Sequence, residues 1–97
     1  MRPAFNALNA PPAALEKGGN EVLRAAVVEG ALHISLIRAF EDPGLWGVAL
    51  ADITRHVARI YSTGHNIPEQ RIIDHIRMAF DGEMDVPTDL GTTSAIS

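Results

Sequence analysis

The runs "EVLRAAVVEG" and "ALHISLIRAF", residues 21–40, restrict the fold of this chain more than any other feature. Both are rich in Val, Leu and Ile, and a two-residue turn at Glu29-Gly30 or Gly30-Ala31 would join them as an antiparallel hairpin. Glu is disfavoured at the positive φ of a type I′ turn, so the turn type stays open on sequence grounds. Alternation puts Leu23, Ala25 and Val27 on one face with Leu32, Ile34 and Leu36. The reverse face carries Val22, Arg24, Ala26 and Val28 with His33, Ser35 and Ile37, and is half apolar. A lone two-stranded hairpin is marginal in water and leaves both edges unpaired. The rest of the chain, or a partner, must cover it.

Two helices are expected to follow. Asp42-Pro43 supplies an N-cap and a first-turn proline. Trp46, Ala49, Leu50, Ile53, Val57, Ile60 and Tyr61 then recur with a period near 3.6, and Gly64 suits a left-handed end. Asn66, with Pro68 in the first turn and Glu69 three residues on, is expected to start the second helix. Its apolar stripe runs through Ile72, Ile73, Ile76 and Phe80, and Gly82 or Val86-Pro87 should stop it.

Before the hairpin, Pro3, Pro11, Pro12 and Gly18-Gly19 read as an extended flexible leader over residues 1–19, with room for one helical turn at Ala13–Lys17. Residues 20–86 form one ββαα domain of the α+β class, and residues 87–97 an acidic-to-polar flexible tail. Two helices cover only one sheet face, so completion as a homodimer is expected, through joined hairpins or helix against helix. Gly44, Gly47, Ala51 and Ala58 make a small-residue stripe that fits either a dimer seam or contact within the chain. Arg24, His33 and Ser35 on the reverse sheet face are further candidate interface residues.

Composition narrows the function classes. At 97 residues, 46% hydrophobic and 21% charged, the chain is one small globular domain that buries only about 60% of its unfolded surface. It has no cysteine, which excludes disulfides, thiolate zinc sites and cysteine nucleophiles. No apolar signal region opens the sequence and no run approaches the ~20 residues of a membrane span, so a cytoplasmic location is expected. The net charge is −4 and no basic stripe offsets it, which argues against nucleic acid and anionic membranes as partners.

Several blocks together resemble a known family. They are "PPAAL" at 11–15, "EVLR" at 21–24, "DPGLWG" at 42–47, "LADITRHVA" at 50–58, "FDGE" at 80–83 and "PTD" at 87–89. In order and spacing they resemble the short bacterial proteins of the domain-of-unknown-function family numbered 5076. The resemblance implies a small stand-alone cytoplasmic protein, with no activity, cofactor or catalytic residue to carry over. It also implies an aromatic near Ala25-Ala26, which this sequence lacks.

The polar face of the first helix holds Asp52, Arg55, His56 and Arg59. Asp52 and His56, four apart, have the spacing of an acid–base pair, yet no GxSxG, P-loop, HExxH or EF-hand pattern accompanies them. No residue is therefore assigned as catalytic. No metal ligand or cofactor is assigned either, since Arg55 and Arg59 oppose a dication even if His65 or His75 were added. The arginines suit a small anion better, so Arg55, His56 and Arg59 are the candidate anion site. The plainer reading has them offset the acidic run Asp81–Asp89 after the second helix. The leading expectation is a non-catalytic binding or regulatory homodimer working through protein contacts. An anion-binding module ranks second, and a small enzyme using Asp52 and His56 third.

Overall fold

Glu29 and Gly30 both adopt positive φ, 51° and 83°, and close the hairpin between β1 (Leu23–Val28) and β2 (Ala31–Ile37). Two consecutive left-handed residues are the type I′ signature, whose twist matches that of paired strands. The favourable pairing thus overrides the cost at Glu29, about 1–2 kcal/mol for a residue with a Cβ. Glu29→Gly is expected to raise the free energy of unfolding by roughly 1 kcal/mol, read as a higher urea midpoint at unchanged slope.

The register pairs Leu23 with Leu36, Ala25 with Ile34 and Val27 with Leu32, so the wholly apolar face is the one alternation indicates. The computed structural model describes residues 2–88 and the backbone of 92–96. Ahead of the hairpin, α1 (Pro12–Lys17) is a single exposed stretch of helix ending at Gly18, whose φ is 77°.

After β2, Ala39 donates its N–H to the Ile37 carbonyl at 2.9 Å, and Phe40 meets Trp46 edge-to-face with centroids 5.3 Å apart. These contacts make an ordered elbow that leads into α2 (Gly44–His65). Asp42 lies one residue ahead of the N-cap, which is Pro43, yet its Oδ1 accepts from the Gly44 amide at 2.9 Å and satisfies one of the free donors of the first turn. The far end differs from expectation. Gly64 stays helical and Asn66 takes the left-handed position at φ 55°, so Asn66 ends α2 and does not start α3. Asn is the non-glycine residue that best tolerates this conformation, which is why either position was plausible. Ser62 donates its hydroxyl to the Ile67 carbonyl at 2.6 Å across the turn, and α3 runs Glu69–Asp85.

A further strand lies where a flexible tail is expected. β3 (Thr92–Ile96) pairs in parallel with β2, His33 opposite Thr92 through Ile37 opposite Ile96. The hairpin therefore becomes a three-stranded mixed sheet of order β1-β2-β3 with β2 in the centre. The β2 edge expected to stay open is paired by a strand rich in Thr, a residue that favours strands. Met1, Asp89–Gly91 and Ser97 lie outside the described residues.

The sheet and the helical hairpin do not share a core. α2 packs antiparallel to α3, yet no Cα of either lies within 8 Å of a Cα in the sheet. Ala58, on the α2 side of the helical seam, is the one buried apolar residue among those described. The chain exposes 8744 Å², where a folded monomer of this mass exposes about 5,400 Å². Its radius of gyration is 15.5 Å against roughly 12.5 Å for a compact chain of this length.

Candidate functional site

Asp52, Arg55, His56 and Arg59 all lie on exposed positions of α2. Helical spacing alone produces this arrangement, and the structure divides the group between neighbours. Arg59 Nε lies 3.4 Å from Glu69 Oε1 at the start of α3, with both side chains about half exposed. This ion pair ties the two ends of the turn together, and at such exposure contributes only ~0–1 kcal/mol. Arg59 therefore meets Glu69 in α3, and not the acidic run at the far end of that helix.

Arg55 stands farther along the same flank. With Gly47, Ala51, Arg77, Phe80 and Asp81 it lines a cleft of about 450 Å³ between α2 and α3. The expectation that Arg55 approaches the acids after the second helix is met to this extent, because Asp81 shares its cleft. Both arginines of the candidate anion face thus have an acidic residue of α3 in their neighbourhood, while His56 and Asp52 project to solvent.

The small-residue stripe separates in the same way. Ala58 is fully buried, so the stripe serves at least there as the seam of the helix pair. Gly47 and Ala51 line the cleft between α2 and α3. A Cβ added at Gly47 would meet nothing within 4 Å. Gly47→Ala is expected to raise stability by about 1 kcal/mol through helix propensity, measured by thermal unfolding. A lower midpoint would instead locate a close backbone approach at that position. Gly44 donates its N–H to Asp42 Oδ1.

On the sheet, Arg24, His33 and Ser35 do share a face: Arg24 pairs with Ser35 and the neighbouring pair is Ala26 with His33. Arg24 makes a two-point contact with Glu21, Nε to Oε1 at 3.1 Å and Nη2 to Oε2 at 3.0 Å. Its guanidinium also stacks 5.9 Å from the Phe5 ring centroid. The leader therefore reaches this face through Phe5, a contact that nothing in the periodicity announced. Residues Ala4–Pro11 run beside β1 and enclose with it a slot of about 840 Å³.

The most apolar groove escaped the sequence reading. It measures about 780 Å³ on the other flank of the helix pair, between Val57, Tyr61, Ile67, Ile72 and Met78, with His65 and His75 at its rim. Its signal was present in Val57, Tyr61 and Ile72, which belong to the two helical stripes, and in Met78 beside the second of them. Among the described residues no group of three or more His, Asp and Glu is placed to hold a metal ion, and no helix is long and apolar enough to cross a membrane.

A family profile described as Domain of unknown function (DUF5076) matches residues 7–88. The chain is also similar to a solved structure described as that of a "putative pyruvate dehydrogenase" from the photosynthetic bacterium Rhodopseudomonas palustrus CGA009. The two share 38% sequence identity with a TM-score of 0.76, covering 97% of this chain and 98% of that one. No curated protein matches the chain.

Proposed function

The chain belongs to the family described as Domain of unknown function (DUF5076), and from that premise we propose that it is a small non-catalytic binding or regulatory protein that acts through protein contacts as a homodimer. The observation that carries this reading is the misplaced apolar surface. Val27 is 74% exposed, Leu32 50%, Ile53 44% and Ile60 74%, while Ala58 alone is buried among the described residues. A monomer left so would expose about 3,300 Å² beyond a compact chain of its mass. Hiding even part of that excess in each of two copies gives an interface of the obligate-dimer class, above about 2,000 Å² in total.

Catalysis has less support. Pyruvate chemistry, which the solved neighbour's name suggests, needs a carboxylate clamp and an electron sink held together in a closed pocket. Here the clefts are open, and the exposed Asp52 and His56 border none of the three described above. The anion-binding alternative at Arg55, His56 and Arg59 is weakened because Glu69 already engages Arg59.

Native mass spectrometry of the purified protein across a dilution series tests the proposal. A dimer of twice 10.4 kDa that persists to nanomolar concentration and carries no added mass is expected. A monomer that unfolds cooperatively would overturn the reading, and a retained small anion would bring forward the alternative.

A further inference from the structure

We infer that two copies pair helical hairpin on helical hairpin, each closing the cleft between α2 and α3 of the other across a two-fold axis, with Asp81 of one copy meeting Arg55 or Arg77 of the other. This rests on the homodimer proposed above and specifies where its copies meet.

The cleft of about 450 Å³ has an apolar floor and a charged rim. Leu50 and Ile53 of α2 supply the floor together with Ile73, Ile76 and Phe80 of α3. Although these side chains share the cleft, Leu50 is still 43% exposed, Ile53 44% and Phe80 50%. The helix pair therefore does not close over its own apolar side chains. Among the described residues nothing else does so, because only α2 and α3 line the cleft and no Cα of either comes within 8 Å of a Cα in the sheet.

The rim states what kind of cover fits. Arg55, Arg77 and Asp81 stand around it on exposed positions, and among the described residues none of the three is engaged in an ion pair or hydrogen bond. In the larger groove of the helix pair the acid is already taken, since Asp74 Oδ1 accepts from Gln70 at 2.8 Å. An apolar centre within a polar rim is the anatomy of a protein interface, and a rim that carries both signs is complementary to itself. A two-fold axis brings the acid of one copy to the cations of the other and repeats the contact in reverse. A small anion would satisfy the arginines, but it would meet Asp81 and leave Leu50, Ile53 and Phe80 wet. Two helix pairs laid face to face form a four-helix bundle. The helices are long enough for one, with 22 residues in α2 and 17 in α3, about 33 and 26 Å. A stable interface takes roughly 800 Å² from each partner. Each copy carries more than that in excess of a compact chain of its mass.

Two rim variants test the pairing. Asp81→Arg makes the rim wholly basic, and Arg55→Asp combined with Arg77→Asp makes it wholly acidic. Each alone is expected to dimerise about tenfold more weakly, because like charges then face each other. Mixed, the two are expected to form heterodimer well above the statistical half, read by native mass spectrometry. A statistical mixture would overturn the inference, since these charges would then not meet between copies. The floor is tested separately, and the absence of cysteine keeps the background clean. Ile53→Cys or Phe80→Cys, treated with a short bis-maleimide, is expected to join two copies covalently, whereas Val27→Cys on the sheet is not. A dimer that cross-links through Val27→Cys and through neither helix position would overturn the bundle while leaving the dimer standing. A monomeric native mass for the unsubstituted protein would overturn the homodimer itself, so the two failures are distinguishable. Should a variant fail to fold, filtered NOE spectra of mixed labelled and unlabelled unsubstituted chains answer the same question. Contacts from the Leu50, Ile53 or Ile73 methyls of one copy to the Phe80 ring of the other are expected, and their absence from well-resolved spectra overturns the inference.

Discussion

Ile53→Asp is expected to convert the protein into a largely unfolded monomer. Ile53 is the middle residue of the α2 stripe and is 44% exposed in the single chain, where a carboxylate would be tolerated. It lines the cleft between α2 and α3 beside Leu50, Ile73 and Phe80, and cover from a second copy would leave it among apolar side chains that offer no hydrogen bond. Placing an unpaired carboxylate there costs several kcal/mol, and the buried contact of the isoleucine is lost as well. A loss of about 3 kcal/mol raises the dissociation constant by more than 100-fold. With Ala58 as the one buried residue among those described, a released copy retains little to hold its sheet. Dissociation and unfolding should therefore coincide, seen as a far-ultraviolet transition that depends on protein concentration. Asp52→Ala, one residue away but on the polar face, should leave the dimer mass unchanged. If Ile53→Asp stays dimeric at micromolar concentration, α2 is not at the interface.

The difference between these neighbouring positions was legible in the sequence, because helical periodicity separates Ile53 from Asp52. The sheet faces were legible for the same reason, since a period of two leaves no freedom once Val27 and Leu32 face each other. Local chemistry was read less surely. Asn66 and Gly64 both accept a left-handed backbone, and only the length to which α2 continues decides between them. β3 was missed because Thr-Thr-Ser-Ala-Ile lacks apolar alternation, and its pairing partner lies more than fifty residues away along the chain. At the candidate anion face, helical spacing put the arginines on a common side, but the position of Glu69 across the helical turn from Arg59 depends on how that turn closes. The separation of sheet from helices has a more general cause. Amphipathic patterning states which side of an element avoids water, and is silent on whether the same chain or another copy provides the cover.

Ala58→Leu should be the most damaging change within the chain itself. Ala58 is wholly buried in the α2–α3 seam, where a side chain of one carbon allows the two backbones to approach. Three added carbons have no open space to enter at that point, so the helices must separate or the α3 side chains opposite must leave their rotamers. Overpacking of this kind costs about 1–3 kcal/mol. For a domain of this size each kcal/mol lowers the melting temperature by about 4–8 °C, so a fall of roughly 10 °C or more is expected. The comparison that isolates the cause is Ala58→Gly, which removes bulk and adds backbone freedom at a cost of only about 1 kcal/mol. If leucine proved no worse than glycine, the seam would be loose, and the pairing of α2 with α3 would owe more to Ser62 and the turn than to packing. If leucine lowers the melting temperature by the larger amount while the protein remains dimeric at high concentration, the helical hairpin and the interface between copies are separate units of stability.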